Sequence, residues 1–342
     1  MKTFEKFGTA IPQILLPKNI DLKTWSVIAC DQYTQDREYW ENAKKIAGEK
    51  PSSLNLIFPE VYLDKSDEDA KNERIHKIQS AMDEYLEKGV FDSPQEECVY
   101  IERKTAYGRT RKGLVVCVDL DSYEWKPGSK ALIRATEATV PERIPPRMKI
   151  RNGAKLELPH IMLLANDPKD ELVGGAGNLA KKQMPVYDGD LMQNSGHITG
   201  WAVKGSDAEK LLENALSDLA KAGTDSDGNT FLFAVGDGNH SLASAKALYE
   251  EEKAKFGPGS ENTLPSRYAL VEIVNLYDTA LEFEPIHRVL FDVNPEALMD
   301  ALKAEYPGTY EGKGEGHVIQ YAYDGAEGFI TIPDPKAQIG RA

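Results

Sequence analysis

The sequence is poor in cysteine and has no long apolar run. Its three cysteines are Cys30, Cys98 and Cys117, and none belongs to a Cys-x-x-Cys pair, so neither a disulfide framework nor a cysteine-ligated zinc site is indicated. No run approaches the roughly 18 apolar residues that span a bilayer, and the first residues lack the apolar segment of a signal peptide. These absences predict a cytoplasmic protein with no membrane partner.

The sequence also has fewer basic than acidic residues. The chain has 41 Lys and Arg against 55 Asp and Glu, a formal net charge of −14. Such a surface repels phosphate backbones, so we expect no nucleic-acid partner. A small phosphate-bearing ligand remains compatible with this charge where basic residues are concentrated locally. The sequence has no Walker-type or Gly-x-Ser-x-Gly motif, and its six histidines lack metal-ligand spacing.

The length of 342 residues exceeds the usual size of one hydrophobic core. Strand-like runs alternate with helix-like periodicities, which predicts an α/β or α+β fold with a mixed sheet and flanking helices. The break at Lys126-Pro127-Gly128-Ser129 suggests two domains. They are an N-terminal α/β region, 1–125, with a hairpin of strands 99–105 and 112–120, and a core domain, 126–342.

The strongest local signal is the loop 236–241, Gly-Asp-Gly-Asn-His-Ser. It follows the apolar run Phe231 to Val235 and precedes a helical pattern. Its glycines let the backbone approach a ligand, and the first N–H groups of the helix carry partial positive charge. Asp237 can hold a metal or accept a proton, and His240 can donate to a phosphate oxygen. Alternatively, Asp237 and Asn239 only cap the turn and the helix.

An arginine-rich stretch is the second candidate. Arg134 and Glu137 are followed by Arg143 and Arg147, and guanidinium forks suit phosphate and carboxylate groups. Prolines at 141, 145 and 146 predict that this segment stays out of regular structure. The alternative is a solvated surface loop with ion pairs.

Three further features of the sequence have both a functional and a structural interpretation. His287 and Arg288 precede an apolar strand and either bind an anion or face solvent at a strand edge. His160 lies in an apolar strand and is predicted to be a hydrogen-bonded core histidine. The glycine-rich run 174–177 is predicted to be a loop, but without a clean preceding strand it is not a nucleotide fingerprint.

The order of these motifs resembles a bacterial family known as domain of unknown function 1015. The motifs are Arg-x-x-Glu with downstream arginines, then strand–Asp-Gly-x-His–helix, then Pro-x-His-Arg. The resemblance covers most of the chain, and the family has no settled function. Its loop is similar to that of the ParB and sulfiredoxin superfamily, which includes free serine kinases. This implies a ParB/sulfiredoxin-like core with an N-terminal α/β extension.

By that resemblance, Asp237 and His240 lie at a transferring phosphate and Glu137 serves as a base or metal ligand. Magnesium, held by Asp237 and Glu137, and a nucleotide, ATP or ADP, are the implied cofactors. The remaining predicted ligand-binding residues are Gly236, Gly238, Asn239, Ser241, Arg134, Arg143, Arg147, His287 and Arg288.

The chain departs from the related loops at two positions. Asn239 and Ser241 stand where those loops have His and Arg, so the guanidinium that stabilises phosphoryl charge must come from elsewhere. Residues 29–33, Ala-Cys-Asp-Gln-Tyr, replace the family's Pro-Pro-Tyr-Asp segment, and a loop without cysteine excludes sulfiredoxin chemistry. Three functions follow: a phosphotransferase for a small hydroxyl-bearing metabolite, a nucleotide- or phosphometabolite-sensing module without turnover, or a partner-binding protein with a vestigial site.

Overall fold

The computed structural model describes residues 1–63, 67–105, 108–137, 139–281 and 289–334. The chain divides into two units, Met1–Glu282 and Phe283–Ala342. This division differs from the predicted boundary at residue 126. Strands that precede residue 126 and strands that follow it belong to one sheet. The two strands of the N-terminal hairpin form hydrogen bonds with strands that come later in the chain.

Helices and strands alternate along the described residues, and the predicted α/β fold class is confirmed. The helices are α1 (Leu22–Trp25), α2 (Arg37–Ala47), α3 (Glu68–Glu87), α4 (Ile144–Arg151), α5 (Val173–Ala180), α6 (Ser206–Ala222), α7 (Asn239–Phe256) and α8 (Pro295–Glu305). In the part of the chain that the structure describes, no helix is long and apolar enough to cross a membrane.

The strands are short, except for the central hairpin and the strands beside it. They are β1 (Thr3–Phe4), β2 (Thr9–Ala10), β3 (Gln13–Ile14), β4 (Gln95–Glu96), β5 (Cys98–Lys104), β6 (Thr110–Asp119), β7 (Tyr123–Glu124), β8 (Ile133–Arg134), β9 (Ile161–Ala165), β10 (Tyr187–Asp190), β11 (His197–Val203), β12 (Phe233–Asp237), β13 (Tyr268–Asn275), β14 (Tyr310–Glu311), β15 (His317–Tyr323) and β16 (Ala326–Ile332). β5 and β6 form the predicted antiparallel hairpin.

The main sheet has the order β10-β11-β5-β6-β13-β9-β12-β8-β7, with β2 beside β6 and β1 beside β2. It is mixed, because β13 runs parallel to β9 and β8 runs parallel to both β7 and β12, whereas the other pairs are antiparallel. The second unit has its own sheet, of order β14-β16-β15.

The principal core covers one face of the main sheet. Apolar side chains alternate along β6, β9, β12 and β13 and pack with the inward residues of α5, α6 and α7. Its largest contributors include Leu114, Leu163, Phe233, Leu242 and Tyr249. The opposite face carries a smaller apolar cluster around Val99, Ile101 and Val115.

Two local predictions were wrong. The proline-rich segment is helical, since Pro145 and Pro146 occupy the first turn of α4, where a missing N–H removes no helical hydrogen bond. The glycine-rich run 174–177 lies within α5 rather than in a loop. There Gly177 packs against the ring of Tyr100, and an added Cβ would overlap that ring.

Candidate functional site

The predicted loop forms a sharp corner between β12 and α7. β12 ends at Asp237, Gly238 adopts φ +82°, and α7 begins at the next residue. A Cβ at Gly236 would come within 2.8 Å of the Leu164 side chain, and one at Gly238 within 3.1 Å of the Cα of Ile161. The corner therefore requires glycine at both positions, because β9 passes close beside it.

The first turn of α7 has no side-chain cap in the described residues. The Asp237 carboxylate instead accepts the N–H of Gly238 through Oδ1 at 2.8 Å, and the Leu242 N–H donates to the Gly238 carbonyl as the first helical bond. The N–H groups of the intervening residues point out of the helix end. They form the electropositive position that the sequence predicted for an anion.

Asn239 and Ser241 hold the corner together. The buried Asn239 side chain accepts the Thr136 N–H at 3.2 Å and donates to Thr136 Oγ1 at 3.3 Å. That hydroxyl in turn donates to the Val235 carbonyl at 2.6 Å. Ser241 Oγ lies 2.8 Å from His160 Nε2. The two departures from the related loops thus make internal hydrogen bonds. Asn239 fixes the segment around Thr136 against the loop, and Ser241 contacts His160.

His240 is brought next to Glu137 by that segment. Burial lowers the pKa of His240, and the charges of Arg143 and Arg147 lower it further. Its Nε2 accepts the Val140 N–H at 3.2 Å, so the neutral ring carries its proton on Nδ1. Nδ1 lies 3.9 Å from Glu137 Oε1, beyond hydrogen-bond distance, and is available to donate to a ligand.

Asp237 stands in a crowded group of carboxylates. Burial raises the pKa of Asp237, as do the negative charges of Asp31 and Glu137, while the Gly238 N–H and His160 oppose the rise. One carboxylate oxygen of Asp31 is itself buried and has no hydrogen-bond partner among the described residues. Although the Asp237 side chain is exposed, its raised pKa makes it a better proton acceptor than an aspartate without these neighbours.

Asp31 and His160 were missed as site residues. Asp31 follows α1 in sequence and reaches the corner only through tertiary folding, although it lies in the segment that corresponds to the family's Pro-Pro-Tyr-Asp. His160 immediately precedes β9, which places its ring beside α7. The sequence feature that indicates a site role for His160 is its position at the end of a strand. The apolar residues that follow it made the histidine look like part of the strand.

Two of the predicted arginines lie near the corner. Arg147 forms an ion pair with Glu60 and donates to the Arg143 carbonyl at 2.9 Å, so its charge is already balanced. Arg143 is exposed and close enough to lower the pKa of His240. Burial raises the pKa of the neighbouring Cys30 thiol to about 12, which leaves it protonated and unsuited to act as a nucleophile.

Arg134 is directed away from the corner. Its Nε donates to the Ala131 carbonyl at 2.8 Å and its Nη2 to the Thr230 carbonyl at 3.2 Å, and its guanidinium lies over the Phe231 ring. Thr230 and Phe231 precede β12, at the end opposite Asp237. The predicted residues His287 and Arg288 lie outside the described residues.

Magnesium prefers carboxylate oxygens, and Asp31, Asp237 and Glu137 supply ligands of that type. Within the described residues, however, no group of three or more His, Cys, Asp or Glu side chains is arranged to hold a metal ion. The donor set fits a magnesium ion held by one or two carboxylates together with water or ligand phosphate, as is common for this metal.

Residues 14–339 match the model of a family described as protein of unknown function, DUF1015. The chain belongs to this family, and the resemblance inferred from the sequence is confirmed. No curated protein and no solved structure gave a match. The similarity of the loop to the ParB and sulfiredoxin superfamily, and a core of that type, therefore stay predictions.

Proposed function

We propose that this protein is a nucleotide-dependent phosphotransferase that acts in the cytoplasm on a small hydroxyl-bearing metabolite. One observation carries the proposal. The uncapped start of α7 meets a carboxylate with a raised pKa, Asp237, and a neutral histidine, His240, at one corner. A phosphate site and a proton acceptor are thereby adjacent, which is the pairing that phosphoryl transfer to a hydroxyl requires.

The residues take distinct roles. The N–H groups of the first turn of α7 bind a phosphate oxygen, and His240 Nδ1–H donates to a second one. Arg143 supplies the positive charge that the loop itself lacks. Asp237 accepts the proton of the attacking hydroxyl, because its raised pKa makes it a better proton acceptor than an ordinary aspartate. A magnesium ion bound by Glu137 would neutralise charge on the transferred phosphate.

The alternative function is a phosphometabolite sensor without turnover. It is favoured by Asn239 and Ser241, since both make internal hydrogen bonds instead of presenting groups to a ligand. A sensor requires the helix start and His240 but not the proton acceptor. Asp237 therefore distinguishes the two functions.

The test combines ligand binding with product analysis. ATP, ADP, GTP, CTP and their monophosphates are screened by thermal shift with and without magnesium. Ligand at about a hundred times its Kd adds roughly 2.7 kcal/mol to stability, and for a chain of this size we expect a rise of several degrees in Tm. The variants are Asp237→Asn, His240→Ala and, as a control with the same charge change on an exposed turn, Asp227→Asn.

For an enzyme, we expect Asp237→Asn to keep ligand protection and lose product formation, while Asp227→Asn keeps both. Protection without product in the wild type, abolished in His240→Ala, would establish the sensor. Absence of protection by every nucleotide would refute both functions.

A further inference from the structure

A second concentration of uncompensated charge lies on the same sheet, away from the α7 corner. Arg103 of β5 and Arg111 of β6 are directly opposite each other in the hairpin register. The Cβ atoms of such a pair are about 4.5–5.5 Å apart, and like charges in this arrangement destabilise the sheet. The pKa of Arg103 is lowered by burial and further by the charge of Arg111.

A single carboxylate, that of Glu272, lies near both guanidinium groups but is bound by only one of them. Arg111 Nη2 donates to both oxygens of Glu272 at 3.1 Å, and the two side chains are each 16% exposed. Arg103 has neither a hydrogen bond nor an ion pair to a carboxylate within the described residues. The Nε atoms of both arginines are buried without an acceptor. Two cations and one anion therefore leave one positive charge unbalanced.

The surroundings make that charge costly. Arg103 shares its face of the sheet with Ile101, two residues earlier, and with Ile198, its partner on β11. Both belong to the smaller apolar cluster, so solvent screens the guanidinium poorly on this side. A partly buried cation without a carboxylate partner is unfavourable unless something else supplies the negative charge. In a chain of net charge −14, no general excess of cations explains an unpaired arginine here.

We propose that Arg103 and Arg111 form an oxyanion-binding site, which takes a phosphate or carboxylate group of a small ligand. Guanidinium forks present planar pairs of N–H donors to such groups, and two forks side by side match the several oxygens of one anion. The bound anion balances the remaining positive charge and accepts the hydrogen bonds that the protein leaves unmade.

This site is distinct from the α7 corner, but its side chains lie on the same face of the main sheet as Asp237. Asp237 pairs with Met162 of β9, and Met162 pairs with Glu272 of β13, so these side chains share one face of the sheet. Three strand spacings, about 14 Å, separate β12 from β6. The proposal depends on Arg103 and Arg111 alone and does not require the phosphotransferase function.

The test measures binding of inorganic phosphate and of malonate, in a buffer without other oxyanions and at constant ionic strength. Isothermal titration or thermal shift follows binding to the full chain. Arg103→Met should weaken binding by about tenfold or more, because each hydrogen bond between charged groups contributes at least that factor. Lys104→Met, which removes the same charge from the next residue, should leave the affinity within about twofold.

Two further measurements guard against a variant that misfolds. Arg103→Met should raise the Tm without anion, because it removes a partly buried charge that has no carboxylate partner. Glu272→Gln should bind phosphate several-fold more tightly, because it releases Arg111. Tighter binding of phosphate than of malonate would identify the ligand's oxyanion as a phosphate group, and the reverse would identify it as a carboxylate group. Equal phosphate binding by the wild type and Arg103→Met, or no binding of either anion by the wild type, would overturn the proposal.

Discussion

The glycine corner that places Asp237 and His240 can be tested by its stability alone. Gly238→Ala introduces two costs. An L-residue in the left-handed region costs about 1–2 kcal/mol. Because the new Cβ would lie 3.0–3.1 Å from Ile161, including its backbone Cα, overlap adds about 1–3 kcal/mol. We expect a total loss of about 2–5 kcal/mol in the free energy of unfolding.

The chain offers matched controls for this substitution. Gly228 adopts φ +82° and Gly257 adopts φ +83°, but a Cβ at either would meet nothing within 4 Å. Alanine at these positions therefore bears the conformational cost alone, about 1–2 kcal/mol. The difference between Gly238→Ala and the controls isolates the contact with β9.

Urea unfolding followed by tryptophan fluorescence is a suitable assay. All the tryptophans, Trp25, Trp40, Trp125 and Trp201, belong to the unit that contains the three glycines. The midpoint should shift with little change in slope, since the native surface is unchanged. Equal losses for Gly238→Ala and both controls would show that Ile161 does not pack against the corner, and the derived site geometry would fail with it.

Three other predictions concern charge and packing. Asp237→Asn should stabilise the protein at pH 7.5 and by less at pH 4, because a raised pKa in the folded state destabilises only the ionised form; a pH-independent difference would contradict this. His197 has a raised pKa through its hydrogen bonds to the carboxylates of β10, so the stability it contributes is present below its unfolded pKa and is lost as the pH rises through its folded pKa. His197→Gln should then destabilise at pH 5.5 but not at pH 8.5, in paired urea titrations. Gly177→Ala should lower stability by about 1–3 kcal/mol through overlap with Tyr100, although alanine favours a helix; a gain in Tm would contradict this.

The part of the site that could be predicted from the sequence is local. A strand, two glycines and a helix start are encoded within a few residues, and the geometry of Gly236 and Gly238 follows from their lack of a Cβ. The hairpin of β5 and β6 was predicted for the same reason. Alternating apolar residues and a short turn suffice to define it.

The rest depends on contacts between distant segments. Asp31 reaches Asp237 across 206 positions of the chain, and no local pattern indicates that approach. The direction of Arg134 is set by the Thr230 carbonyl and the Phe231 ring, which come close to its guanidinium only in the folded sheet. The helix α4 was missed because proline was treated as a breaker, whereas its effect depends on position within the first turn.

The two candidate sites have opposite electrostatic defects on one face of one sheet. At the corner, Asp31, Asp237 and Glu137 raise the energy of a negative charge; at the hairpin, Arg103 and Arg111 leave a positive charge unbalanced. Each arrangement costs stability that ordinary ion pairing would recover, and such costs persist in proteins where binding or catalysis uses them. β12 and β6 are about 14 Å apart and β5, which carries Arg103, lies one strand farther, too far for the two defects to neutralise each other directly through solvent at physiological salt. A cation or a proton would relieve the first defect and an oxyanion the second, so each should be probed by what it binds.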